Sequence, residues 1–144
     1  MNLPNVLKGC SATPAAVAKK MLEWYNRRGL RGLGASTLKA LRVLQVGAHW
    51  GLSGRTGEYA AGNGAAMRIA PLAVFLSPDT DRQLVRDVCF ITHKNDEACT
   101  GCMAIPHALA LVLAGDWFNN SEDWILEHIA SLLPDTLVKE EKLR

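Results

Sequence analysis

Gly62-Asn63-Gly64-Ala65-Ala66-Met67-Arg68-Ile69-Ala70-Pro71 couples a glycine-flanked turn to the start of a helix that carries an arginine. Gly62 and Gly64 permit positive φ and close backbone approach. Asn63 tolerates the left-handed region and caps helices, so the chain can turn sharply and open a helix at about Gly64. Free N–H groups at such a turn, with the positive end of the helix dipole, form a site for phosphate or carboxylate. Arg68, one turn in, adds a charge suited to bidentate anion contact. From the glycine pattern alone, a plain capped loop beside a solvated arginine reads the same way.

Outward from this turn the pattern is helical in both directions. Thr13-Pro14 is an N-cap followed by proline at the first helical position. Val17, Met21, Trp24 and Arg28 then recur at helical spacing, widened by Ala18, Leu22 and Tyr25, up to the Gly29–Gly34 region. Ser36 is expected to cap a second helix through Leu38, Leu41, Leu44, Gln45 and Ala48, ending near Gly51 and Gly54. The third begins after Asn63, and Pro71 is expected to bend or interrupt it. Pro78-Asp79-Thr80-Asp81 opens a fourth, which buries Leu84, Val85, Val88, Cys89 and Ile91. A fifth runs from about Asn95 to Ala114, with Pro106 threatening a kink. A sixth opens at Ser121 and carries Trp124, Ile125, His128, Ile129 and Leu132, and a short helix follows Asp135. No segment alternates at two-residue period with β-branched bias, so the expected fold is an all-α bundle in a single domain, residues 1–144.

Apolar residues make up 49% of the 144 and charged residues 21%, without a run of 18 apolar positions, so a folded chain with no membrane span is expected. The start of the chain carries no apolar signal core, and a cytoplasmic location follows as the expectation. Net charge is +2 but unevenly spread: residues 1–60 hold nine Lys/Arg against two Asp/Glu, and residues 61–144 hold seven against twelve. The cations are spread over helices without interleaved exposed aromatics, which argues against nucleic acid as partner. Cys89-x3-His93 and Cys99-x2-Cys102 offer four soft ligands on paper. Cys99 and Cys102, however, lie in a small-residue helical run where free cysteines pack as small hydrophobes, and with Cys10 no metal is assigned to them.

A second glycine turn, Gly32-Leu33-Gly34-Ala35-Ser36-Thr37, opens onto a helix with Arg31 and Arg28 beside it. It presents N–H groups and the Ser36 and Thr37 hydroxyls to an anion, and two such loops favour a two-phosphate ligand. A dinucleotide fold would need a preceding strand, which is absent. His93 sits with polar neighbours at a break between helices. Asp79-Thr80-Asp81 reads as a helix opening and not a magnesium site. Ser36, Ser53 and Thr56 show no Ser/His/Asp arrangement. His49, His107 and His128 fall on helical patterns, and Trp24, Trp50, Trp117 and Trp124 read as core or helix-end anchors.

Arg31-Gly32-Leu33-Gly34-Ala35-Ser36-Thr37, then Gly62-Asn63-Gly64-Ala65-Ala66-Met67-Arg68-Ile69-Ala70-Pro71, then Ile91-Thr92-His93, in this order and at these separations, resemble the ADP-ribosylglycohydrolase family from about Pro14 to Leu143. The resemblance implies an all-α orthogonal multi-helix bundle. It also implies an activity that hydrolyses the bond between ADP-ribose and an acceptor such as arginine or serine, with two Mg²⁺ or Mn²⁺ ions. Gly32, Gly34, Ser36, Thr37, Gly62, Asn63, Gly64 and Arg68 would face the ADP-ribose phosphates and adjoining ribose, with His93 at the rim. Members are roughly twice this long and draw their metal ligands from a Thr-Asp-Asp-Thr-type segment before this part and an Asp-x-Asp-Thr-type segment after it. Neither occurs here, and Ala60 stands where some relatives have serine. The resemblance therefore implies an incomplete bundle with the phosphate loops, no catalytic or metal residues of its own, and no cofactor in this chain alone. The expected partners are ADP-ribose or an ADP-ribosylated protein, and a second copy or a complementary chain. A nucleotide-binding pseudoenzyme or an assembly partner is the alternative.

Overall fold

Thr13 starts the first helix as expected: its Oγ1 accepts from the Ala16 N–H at 3.2 Å, with Pro14 in the first position. The computed structural model describes residues 12–77 and 81–114. Helix α1 (Pro14–Asn26) buries Ala18 and Met21, while Trp24 stays 50% exposed near the helix end. The Gly29 N–H bonds to Trp24 O at 2.9 Å and the Arg28 N–H to Tyr25 O at 2.9 Å, which closes α1 before the glycine turn. This closure holds Arg28 at φ +54°, a left-handed position that usually falls to glycine.

Helix α2 (Ala35–Gln45) opens two residues earlier than expected. Gly34 is its N-cap, in extended backbone, so Ser36 and Thr37 lie inside the first turn and are buried. It also stops earlier, because Gly47 at φ +91° accepts the left-handed closing position and Ala48 bonds back to Val43 O. A separate short helix, α3 (Trp50–Ser53), follows with the His49 Nδ1 accepting from the Gly51 N–H at 3.1 Å.

Strand β1 (Arg55–Thr56) pairs in parallel with β2 (His93–Lys94), Arg55 opposite His93 and Thr56 opposite Lys94. Two residues are too few for a visible alternation, which is why periodicity missed this bridge. A 3-10 turn (Glu58–Ala60) leads into the glycine loop and helix α4 (Ala66–Ala73). Helix α4 starts two residues after the expected point, runs through Pro71 and ends at Ala73. Helices α5 (Arg82–Phe90) and α6 (Asp96–Ala114) complete the described part, with α6 continuous through Pro106 and capped by Asn95 Oδ1 from the Ala98 N–H.

The architecture is all-α apart from the two-residue bridge. Helix α6 packs against α4 and α5, and α1 against α2 and α5. Between them lies one core that includes Met21, Leu41, Leu44, Ile69, Val88 and Ile91, with Cys89, Cys99 and Cys102 among its small buried members. No described helix is long and apolar enough to cross a membrane. The helices expected from Ser121 and after Asp135 lie outside the described residues, as do Cys10, Asp79, Thr80, Trp117, Trp124 and His128.

One glycine in this frame is fixed by contact with another part of the chain. A Cβ on Gly54 would collide with the carbonyl oxygen of Phe90, a backbone atom at the end of α5 that cannot swing away. Gly54→Ala should therefore destabilise the chain by about 3 kcal/mol, read as the shift in a urea unfolding midpoint.

Candidate anion-binding site

The site is built on residues 91–93, which link α5 to α6 and are held from several sides. Ser53 Oγ donates to Ile91 O at 2.7 Å, the Arg55 N–H to Thr92 O at 3.0 Å, and the Cys89 thiol to His93 O at 3.3 Å. Asn95 Nδ2 also reaches Gly57 O at 3.2 Å and so ties the start of α6 to the turn before the glycine loop. His93 is consequently buried, at 3% exposure, and its ring has little freedom.

The glycine loop lies on that ring. A Cβ on Gly62 would sit 3.1 Å from His93 Nε2, and one on Gly64 would sit 3.0 Å from Thr37 Oγ1 and 3.1 Å from His93 Cε1. Neither glycine has positive φ, so the expected left-handed turn is not what requires them. What they supply is the missing Cβ, which lets the loop backbone approach the His93 ring and the first turn of α2.

This contact joins two sets of donors. Met67 N–H bonds to Asn63 O, and the Arg68 and Ile69 N–H groups to Ala65 O. Among the described residues no acceptor takes the N–H groups of Asn63, Gly64 and Ala65. At the start of α2, Leu38 N–H bonds to Gly34 O, and the N–H groups of Ala35, Ser36 and Thr37 likewise have no acceptor among the described residues. Thr37, Gly62, Gly64 and His93 are thus brought together, with Ser36 buried beside Thr37. Gly32 (φ +67°) and Gly34 are exposed, with open space where a Cβ would stand, and they flank this junction without entering it.

Arg68 does not point outward as expected. Its Nη2 donates to Thr92 Oγ1 at 2.5 Å and approaches Val88 O at 3.5 Å, while its buried Nε has no partner among the described residues. A side chain one turn into α4 falls on the inner face that also buries Ile69, which carries the guanidinium toward α5. His93 likewise lies beneath the loop and not at a rim. Thr92 links the two, with Oγ1 2.6 Å from His93 Nδ1. In the sequence Thr92 stands out only as a neighbour of His93, and Ser53 only as lacking a Ser/His/Asp arrangement, since a hydroxyl that bonds backbone or the adjacent residue leaves no spacing pattern.

The sequence model of the ADP-ribosylglycohydrolase family matches residues 5–144, nearly the whole chain. The chain belongs to that family. An uncharacterised protein of Archaeoglobus fulgidus is 26% identical over 127 residues, which cover 87% of this chain and 39% of the relative. The chain thus spans about two-fifths of the length of that curated relative. No solved structure matches it.

The ADP-ribosylglycohydrolase resemblance implies two divalent cations, and among the described residues no three of His, Cys, Asp or Glu lie together as metal ligands would. Of Asp79-Thr80-Asp81, only Asp81 is described, and its carboxylate accepts from the Ser77 N–H at 2.7 Å. Hydrogen bonding with Cys102, followed by burial, pushes Cys89 up to about 12, and hydrogen bonding with Cys89 and burial raise Cys99 further.

Electrostatics under the ADP-ribosylglycohydrolase loop follow from burial. Desolvation lowers the Arg68 pKa, although a guanidinium stays charged at any working pH. Burial first, and the Arg68 charge second, hold His93 below the ordinary histidine range, so the ring is neutral near pH 7. An unfolded histidine takes up its proton below about pH 6.5, whereas His93 in the fold does so only at lower pH. Its contribution to stability is complete above that value and declines as the pH falls toward the folded pKa. The urea midpoint should therefore drop between pH 7 and pH 5, and His93→Gln should flatten that dependence.

Crowding at Gly64 gives a second expectation. Gly64→Ala should cost about 1–3 kcal/mol of stability by pressing on Thr37 and His93, and Gly101→Ala, where a Cβ meets open space, should cost little. Thermal melting of the two variants checks the contrast.

Proposed function

We propose that this chain binds ADP-ribose through its diphosphate, as the phosphate-holding part of an ADP-ribosylglycohydrolase site. The observation that carries the reading is the meeting of Gly62–Ala65 with the first turn of α2 over the buried ring of His93. It supports the N–H groups of Ala35, Ser36, Thr37, Asn63, Gly64 and Ala65, unbonded among the described residues, and the Thr37 hydroxyl as anion donors. Backbone donors held in place before binding need no reorganisation around an incoming phosphate.

In this reading the N–H groups of Asn63 and Gly64 take one phosphate. Ser36, Thr37 and the α2 dipole take the other, with Gly32 and Gly34 beside the adjoining ribose. Arg68 and His93 act from beneath: the guanidinium adds positive potential, and the ring holds the loop in place. The excess of cations in residues 1–60 supports attraction of such a ligand.

Hydrolysis of ADP-ribose from a protein side chain is the family's activity, and a metal pair supplies its Lewis acid. No step of it is derived from the described residues, since their carboxylates do not group as ligands. The chain is assigned binding and orientation of ADP-ribose or an ADP-ribosylated protein in the cytoplasm. Catalysis is assigned to acidic segments outside the described residues, and a complementary chain is one source of them. A metal-free binding module is the second reading, and the same absence of a ligand cluster among the described residues favours it.

Thermal melting with ADP-ribose tests the binding. A ligand at a hundredfold excess over Kd stabilises by about 2.7 kcal/mol, which for this size raises Tm on the order of 8 °C. ADP-ribose and inorganic pyrophosphate should both produce the rise with or without Mg²⁺, and ribose should not. An unchanged Tm at millimolar ADP-ribose would overturn the assignment.

A further inference from the structure

Arg68, partly buried, and Thr92, fully buried, form a hydrogen-bond chain to His93 whose donor directions follow from the protons and lone pairs each group carries. A guanidinium has no acceptor, so the contact with Thr92 Oγ1 uses an oxygen lone pair and leaves the Thr92 hydroxyl proton to be donated elsewhere. Thr92 is completely buried, and the other side-chain atom it meets is His93 Nδ1 at 2.6 Å. If Nδ1 carried the proton, the guanidinium and the ring would both donate to Thr92, and its own buried hydroxyl proton would lack an acceptor among the described residues. That arrangement costs about 1–3 kcal/mol. With Nδ1 as acceptor, the Thr92 hydroxyl proton is used and the ring proton stands on Nε2.

We propose that Arg68 and Thr92 are positioning residues that fix His93 as its Nε2–H tautomer, directed at the backbone of Gly62 and Gly64. Nε2 is the ring atom against Gly62, at 3.1 Å from a Cβ position there, so the proton lies on the loop side of the ring. The chain then serves the anion site by preventing His93 from presenting a lone pair to the underside of the loop whose amides hold the phosphate. A lone pair at that place would repel the ligand, and a ring free to turn would release the loop. The groups around His93 agree with a neutral, singly protonated ring: Arg68 is the charge beside it, and Cys89, which donates to its carbonyl oxygen, is a protonated thiol. The tautomer itself does not depend on the ADP-ribose reading; its consequence for binding does.

Long-range ¹H–¹⁵N spectra of the full chain near pH 7 test the tautomer, with His93 assigned by the signal lost in His93→Gln. The expected pattern is protonated Nε2 and unprotonated Nδ1. Thr92→Val should abolish this single pattern and weaken inorganic pyrophosphate binding about tenfold, whereas Thr92→Ser should restore both. A protonated Nδ1 in the unaltered chain overturns the proposal without need of any variant. It is also overturned if a folded Thr92→Val keeps the original pattern. An intact Nε2–H pattern that Thr92→Val removes, in a chain that binds no pyrophosphate, supports the positioning role and instead overturns the anion-site reading.

Discussion

The ring of His93 packed against Gly62 and Gly64 is the contact on which the site depends, since it is the floor under one of the two donor loops. It lets α4 begin beside the first turn of α2, and the 3.0 Å approach of a Gly64 Cβ position to Thr37 Oγ1 shows how little room remains. The small parallel bridge, the Ser53 hydroxyl and the Cys89 thiol all act on the backbone of residues 91–93 and so hold this floor in position. Their individual contributions are about 1 kcal/mol each, but they act on the same short segment, where loss of one loosens the others.

Beneath the floor lies a guanidinium without a carboxylate among its described contacts. Arg68 meets the Thr92 hydroxyl, the Val88 carbonyl and the neighbouring thiols, and its Nε is unbonded among the described residues. Removing such a charge from water is costly. A positive potential under backbone N–H groups is consistent with an anion above them, and it adds to the burial that keeps the neighbouring His93 ring neutral.

Much of the fold is legible in the sequence because it rests on local chemistry. Thr13-Pro14 and Asn95 cap helices by side chains one turn away, and the helical spacing of Met21, Leu41, Leu44, Val85 and Val88 marks the buried faces. The errors come from contacts between distant segments. Gly62 and Gly64 look like residues chosen for positive φ, yet they are required by the side chains of Thr37 and His93. Arg68 looks like an outward anion contact until the position of α5 shows where its face of α4 points. Ser36 loses the expected capping position to Gly34, whose extended backbone starts α2 two residues earlier. The β1–β2 bridge is too short to have a period, and Thr92 bonds the residue next to it, where spacing carries no information.

The central claim is that the loop amides and the α2 amides act as one anion site in this ADP-ribosylglycohydrolase-family chain. Backbone amide NMR during a titration with ADP-ribose tests it most directly. The account predicts that the signals of Asn63, Gly64 and Ala65 move together with those of Ser36 and Thr37, along one saturation curve and without Mg²⁺. Shifts confined to one of the two segments, or absent from both at saturating ligand, would contradict it.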